Sequence, residues 1–134
     1  MKRVLYDTNV ILDVLLKREP HFTASAQALN MVGEGKVEGY LSAHAVTTLA
    51  YLLQRQLSKT QSRLVLNDLL SHLRVAPVTE AAIRQALQSP FADFEDAVCH
   101  AVAREVSATA IITRNLEDFR HSTIPVIQPS LFQP

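Results

Sequence analysis

The segment from residue 2 to residue 9 reads KRVLYDTN, and its first half has the composition of a buried strand. Val4, Leu5 and Tyr6 form the apolar centre of this strand, and Asp7 closes it just before a helical pattern begins. In an open parallel sheet, residues just beyond the carboxyl end of a strand line the crevice where ligands bind. Asp7 is therefore better placed for chemistry than for core packing.

The rest of the chain alternates predicted strands with predicted helices. Further strands are predicted at residues 37–42, 74–78, 109–112 and 124–127, and helices at residues 9–16, 21–33, 43–53, 59–70, 80–87 and 93–106. This alternation is typical of βαβ units and predicts an α/β fold in three layers, with a mostly parallel sheet of four or five strands between helices. Right-handed crossovers would bring Asp7 and Thr113 to the same edge of the sheet.

The composition predicts one domain over residues 1–134, with a loose tail at residues 129–134. The chain has 134 residues, of which 48% are hydrophobic and 19% charged, a balance that excludes a disordered chain. No apolar run is long enough to span a bilayer, no secretory signal is visible, and Cys99 is the single cysteine. We therefore expect a cytoplasmic protein with no membrane segment. The 13 basic and 13 acidic residues balance, so net charge neither favours nor excludes nucleic acid as a partner.

Two carboxylates lie near the start of the helix predicted at residues 93–106. Asp93, Asp96 and His100 share one narrow polar stripe because they are spaced at i, i+3 and i+7. Asp93 suits either a helix cap or a ligand role. Asp96 lies one turn further in, beside the apolar face, where a functional role is favoured. His100 and His44 are left outside the candidate catalytic set.

A second polar segment follows the strand predicted at residues 109–112. Thr113 and Asn115 follow the end of this strand, as Asp7 follows the end of the first strand. The side-chain carbonyl oxygen of Asn115 suits a cation or a water. Arg114 is a candidate for binding phosphate, and Asp118 is either a nearby carboxylate ligand or a cap. Asp13, on the first predicted helix, is expected to face solvent.

Taken together, residues 7–9, 91–97 and 113–119 resemble the motifs of the PIN domain in order and spacing, over nearly the whole chain. The nearest group is the small prokaryotic PIN proteins that include VapC-type toxin ribonucleases. The resemblance implies a Rossmann-like α/β/α fold and a Mg²⁺- or Mn²⁺-dependent endoribonuclease. It also implies RNA as the substrate, a cognate antitoxin protein as a partner, and a tendency to form homodimers.

The resemblance also assigns roles to individual residues. It implies that Asp7 and Asp96 are catalytic and hold the metal, and that Asp93 is an accessory catalytic acid. The candidates for supporting roles around them are Thr8, Asn9, Thr113, Asn115 and Asp118. Thr48 stands where many members of the family have a Glu, and a hydroxyl there can bind a metal-bound water but adds no negative charge. We include Thr48 among the accessory candidates on this basis.

Two other functions remain open at this stage. The residue at position 48 and the neutral net charge favour a PIN-like module with weak or no catalysis that binds RNA or a protein partner. A phosphatase with an aspartyl nucleophile, similar to haloacid dehalogenase-like enzymes, would also place an Asp after its first strand. That chemistry generally needs a second Asp two residues on, where this chain has Asn9.

Overall fold

The apolar first strand lies at the centre of a parallel sheet, with two strands on each side of it. The computed structural model describes residues 1–133. Its strands are β1 (Arg3–Tyr6), β2 (Glu38–Ser42), β3 (Arg74–Ala76), β4 (Ala110–Ile112) and β5 (Val126–Ile127). They pair in the order β3-β2-β1-β4-β5, and every pairing is parallel. The predicted α/β class with a parallel sheet is thus confirmed.

Helices cover both faces of this sheet. They are α1 (Thr8–Leu15), α2 (Phe22–Gly33), α3 (Ala43–Leu53), α4 (Lys59–Leu70), α5 (Glu80–Leu87) and α6 (Phe94–Glu105). Side chains of a strand alternate between faces, so Val4 and Tyr6 pack in one core with α1 to α4. Leu5 packs in the other core with α5 and α6. The predicted three-layer arrangement is confirmed.

Local sequence signals explain where several helices begin and end. Ser58 and Gln61 form a reciprocal capping box at the start of α4, and the Thr79 hydroxyl accepts a hydrogen bond from an amide at the start of α5. After the end of α2, Gly35 adopts a φ of 72°, a left-handed conformation that glycine enters without steric cost. These helices therefore follow the predicted boundaries closely.

The carboxyl-terminal segment differs from the expected loose tail. Pro129–Leu131 forms a 3₁₀ helix, and Pro129 and Phe132 are buried. Phe132 belongs to the core that α1 to α4 form on one face of the sheet. The expectation of a loose tail was therefore wrong for residues 129–132, where the burial of one aromatic ring ties the segment to the core. Pro134 lies outside the described residues.

One buried carboxylate ties four segments of the chain together. Asp13 is 0% exposed, so the expectation that it faces solvent was wrong. Its carboxylate accepts hydrogen bonds from Arg114 Nε at 2.8 Å and from Ser25 Oγ at 2.9 Å. Arg18 Nη2 lies 3.0 Å from Oδ1 of the same carboxylate. Arg18 is only five residues from Asp13, but Arg114 is 101 residues away, so the local helical pattern could not reveal the full set of partners that allows this burial.

Within residues 1–133, no helix combines the length and the apolar composition needed to cross a bilayer.

We expect Asp13→Ala to lower the free energy of unfolding by about 3 kcal/mol, because breaking a buried ion pair leaves its partners uncompensated. Chemical denaturation at pH 7 measures the effect. Asp68→Ala, which removes an exposed carboxylate from α4, is the matched control and should be nearly neutral. Equal stability of the two variants would show that the Asp13 cluster contributes little.

Candidate active site

The ends of the central strands bring polar residues to one edge of the sheet. β1 lies between β2 and β4, at the point where the strand order changes direction. Asp7 follows β1, Thr113 follows β4, and Ser42 is the last residue of β2. In parallel α/β sheets, ligands bind in the crevice outside the strand ends at such a switch point.

Two hydrogen bonds hold the Asp7 carboxylate in place. The Thr113 hydroxyl donates to Asp7 Oδ2 at 2.8 Å, and the Thr8 backbone amide donates to Asp7 Oδ1 at 2.8 Å. The Asn115 amide in turn donates to Thr113 Oγ1 at 3.0 Å. Burial raises the pKa of Asp7 and outweighs these hydrogen bonds, which act in the opposite direction. The carboxylate is therefore fixed in orientation while its negative charge is poorly solvated.

Asp93 and Asp96 are placed by the start of α6. Asp93 is the N-cap of this helix, and its Oδ1 accepts a hydrogen bond from the Asp96 amide at 3.0 Å. Of the two roles open to Asp93, capping is thus the one visible in its contacts. The second carboxylate oxygen remains available to a ligand, since a carboxylate has acceptor capacity beyond one hydrogen bond.

These acids converge on one open cavity of about 260 Å³ beside the ends of β1 and β4. Five carboxylates line it: Asp7, Asp93, Glu95, Asp96 and Asp118. Four neutral polar side chains line it as well: Thr8, Asn9, Thr48 and Asn115. We call this cavity the acidic pocket. The carboxylates, hydroxyls and side-chain carbonyls of these residues all offer oxygen atoms. Oxygen atoms are the ligands that hard divalent cations prefer.

The electrostatics of the acidic pocket favour a bound cation. Burial raises the pKa of Asp96 to about 7, and the carboxylates of Asp7, Asp93, Asp118 and Glu95 act in the same direction. Within residues 1–133, neither Asp7 nor Asp96 forms an ion pair with a basic side chain.

Across the same residues, no three His, Cys, Asp or Glu side chains form a ready-made metal cluster. Mg²⁺ commonly uses only one or two carboxylates and keeps several waters.

Two candidates from the sequence, Thr113 and Arg114, lie outside the lining of the acidic pocket, as does His100, which was not a candidate. Thr113 is 0% exposed and sits behind Asp7, so it supports that carboxylate and faces no ligand. Arg114 directs two guanidinium nitrogens at Asp13, and its role in binding phosphate stays a prediction. His100 turns away from Asp96: its ring stacks on Phe91, and Nε2 accepts a hydrogen bond from the Thr123 amide at 3.1 Å.

Sequence reasoning missed two features of the site. Glu95 lines the acidic pocket and also a small adjoining cavity with Ser42 and His44. In that cavity, the Ser42 hydroxyl and His44 Nδ1 share a short hydrogen bond, and His44 Nε2 lies 3.9 Å from Glu95 Oε1. Burial lowers the pKa of His44 against the opposing effect of Glu95. The position of Glu95 next to Asp96, in the first turn of the same helix, was the available signal.

Comparison with known proteins gives consistent matches over most of the chain. A family model described as PIN domain matches residues 3–117. Ribonuclease VapC1 of Aquifex aeolicus (strain VF5) is 24% identical over 136 aligned residues, which cover 98% of this chain and 93% of that protein.

Solved structures match the fold at low sequence identity. A toxin–antitoxin complex from Klebsiella pneumoniae contains a chain with a TM-score of 0.72 and 21% identity, covering 96% of this chain and 99% of that chain. DNA-bound VapBC from Salmonella typhimurium matches with a TM-score of 0.71 and 18% identity, over 96% and 99% of the two chains.

We expect Asp96→Asn to raise the melting temperature of the metal-free protein at pH 8 by a few degrees. The raised pKa of Asp96 means that ionisation is unfavourable in the folded state. The parent therefore loses stability as the pH rises from about 4, the pKa of an unfolded Asp, through about 7, and the variant loses less because only the buried Asp7 carboxyl still contributes. Thermal melts in EDTA across this range measure the difference.

The stabilisation by Asp96→Asn should grow between pH 4 and pH 7 and then level off. Asp68→Asn, which removes an exposed carboxylate of α4, should show no such pH dependence. A constant difference between Asp96→Asn and the parent at every pH would contradict the electrostatic origin of the effect.

Proposed function

We propose that this chain, which belongs to the PIN domain family, is a metal-dependent endoribonuclease and the toxin of a type II toxin–antitoxin pair. The observation that carries the proposal is the convergence of Asp7 and Asp96, from distant parts of the sequence, on one acidic pocket, where neither has an ion-pair partner among residues 1–133. Similarity to Ribonuclease VapC1 along nearly the full length of the chain supports the same reaction.

The residues of the acidic pocket fit a divalent cation of the Mg²⁺ or Mn²⁺ type. Asp7 and Asp96 would hold it, because both side chains line the pocket and neither forms an ion pair with a basic side chain among residues 1–133. Burial is the main reason that the pKa values of both carboxyl groups are raised. A bound cation of this kind would stabilise negative charge on phosphate oxygens and lower the pKa of a water.

The chain itself supplies orientation and hydrogen bonding. Thr113 and Thr8 fix the two oxygens of Asp7, so this carboxylate needs no rearrangement to meet a ligand. Asp93 and Asp118 offer carboxylate oxygens that would accept a proton of the attacking water. Asn9 and Asn115, which also line the pocket, would donate hydrogen bonds to the phosphodiester.

Thr48 favours a second candidate function, a PIN-like module with weak or no catalysis. Its hydroxyl lines the acidic pocket but donates to the His44 carbonyl at 3.3 Å, within its own helix. The position thus adds no charge to the site. Glu95, which lines the same pocket, supplies a carboxylate that offsets this loss.

The proposal extends to partners and location. We expect a small antitoxin protein to bind and inhibit the chain, and we expect the chain to form homodimers in the cytoplasm. Complexes described as toxin–antitoxin assemblies contain chains of the same fold, which supports an antitoxin partner.

We expect the purified chain to cleave structured RNA in the presence of Mg²⁺ or Mn²⁺ and to lose this activity in EDTA. Asp7→Asn and Asp96→Asn should each reduce the cleavage rate by at least about 100-fold, since each removes a charge that the cation needs. Asp68→Asn is the matched control and should cleave like the parent. Gel analysis of labelled RNA measures the rates.

The same experiment separates the competing functions. RNA binding without cleavage by the parent would favour the non-catalytic module. Hydrolysis of small phosphate esters with intact RNA would favour a phosphatase. A toxin should also arrest bacterial growth when expressed alone, and Asp7→Asn should restore growth.

We expect Thr48→Glu to lower the Mg²⁺ concentration that gives half-maximal cleavage. The new carboxylate would enter the acidic pocket from α3, opposite the residues of α6, and would attract the cation. Thr48→Gln is the uncharged control of equal size, and it should leave the requirement unchanged. The same shift in both variants would indicate a steric effect of the longer side chain.

A further inference from the structure

A second open cavity, of about 380 Å³, lies on the same edge of the sheet as the acidic pocket. Its walls include Pro20, His21, Arg114, Gln128, Pro129 and Ser130. Gln128 directly follows β5 and Arg114 comes two residues after β4, so the cavity sits at the ends of the strands next to β1. We call it the β5 cavity.

The β5 cavity and the acidic pocket are lined by consecutive residues. Arg114 lines the β5 cavity, and Asn115 lines the acidic pocket. Both cavities lie beyond the carboxyl ends of neighbouring parallel strands, β1, β4 and β5. A nucleic-acid strand with one phosphate in the acidic pocket would continue along this edge of the sheet toward the β5 cavity.

The arginine at this boundary is fixed and only partly satisfied. Arg114 Nε and Nη2 donate to the two oxygens of Asp13 at 2.8 Å and 3.2 Å, which locks the plane of the guanidinium. Its Nη1 makes no hydrogen bond within residues 1–133 and keeps two donors for a ligand. Because Arg18 and Arg114 share the single carboxylate of Asp13, this cluster carries one net positive charge.

The remaining walls suit a base more than a second charge. Gln128 has a side-chain amide without a hydrogen bond in the described chain, and an amide can both donate to and accept from the edge of a base. Pro20 and Pro129 give apolar surface, and the His21 ring is available for stacking. A volume of about 380 Å³ falls within the range of pockets for small ligands.

We infer that the β5 cavity binds one nucleotide of the RNA substrate next to the cleaved bond, with a phosphate at Arg114 and a base at Gln128. The inference rests on the proposed function for the identity of the substrate. It adds a site for recognising sequence, because phosphate contacts position a strand while contacts to base edges select it. The net positive charge at Arg114 favours a polyanion over a peptide as the occupant.

Binding of free mononucleotides tests the β5 cavity independently of cleavage. The four 5′-ribonucleoside monophosphates are titrated into the metal-free ¹⁵N-labelled protein in EDTA, and amide shifts are followed by NMR. At least one nucleotide should shift the amides of residues 21–25 and of residues 128, 130 and 131. Gln128→Ala should weaken that binding about fivefold, as expected for the loss of one hydrogen bond, and Gln56→Ala, an exposed glutamine after α3, should not.

Cleavage of a randomised RNA pool then tests whether the substrate strand uses the same site. The parent should prefer certain bases at one position adjacent to the cut, and Gln128→Ala should relax that preference about fivefold while cutting at other sequences continues. Gln56→Ala should keep the parent's preference. Unchanged preference in Gln128→Ala, with normal cleavage, overturns the inference and leaves the proposed function standing.

The two experiments separate the possible failures. A protein that cuts no RNA but binds mononucleotides at residues 20–25 and 128–131 loses the proposed function and keeps a nucleotide site in the β5 cavity. Absence of any mononucleotide shift there, or displacement of these amides only by an inhibitory protein partner, overturns the inference.

Discussion

The parallel pairing of β1 with β4 brings Asp7 and Thr113 within one hydrogen bond of each other, and the rest of the site depends on that pairing. The two residues are 106 positions apart in the chain, and only the sheet joins them. The chain leaves β1 toward β2 and β3 on one side and reaches β4 and β5 on the other. Because the connections on the two sides run in different directions, a crevice stays open beyond the carboxyl end of β1. The helix start at Asp93 then closes the pocket with carboxylates from the other side.

The concentration of acids in this pocket opposes folding. Burial and mutual repulsion raise the pKa of Asp96 to about 7, which means that the folded chain holds its negative charge there at a cost. Such sites persist because the surrounding cores on both faces of the sheet are large and apolar. A cation that bound only the folded chain would recover part of this cost, so metal binding at this site would raise the stability of the chain.

A second group of charges organises the neighbouring edge. Asp13 holds Arg18 and Arg114 and joins α1, α2 and the segment after β4. Arg114, which it holds, lines the β5 cavity, whereas carboxylates line the acidic pocket over β1. A polyanionic strand would be attracted by the positive charge near Arg114 and repelled by the carboxylates of the acidic pocket. A cation bound in the acidic pocket would offset that repulsion. This arrangement distinguishes the two cavities in charge as well as in shape.

The sequence by itself determined the α/β class and the helices with clear caps, and it singled out Asp7, Asp93 and Asp96, which the structure brings to one pocket. Periodicity and capping are local properties, so Ser58, Thr79 and Asp93 could be read directly from the chain. Only the tertiary structure decided that Asp13 is buried, that Phe132 packs in the core and that Glu95 lines the pocket. Each of these depends on partners remote in sequence, whose charge or apolar surface changes whether burial is favourable, and no local pattern records that balance.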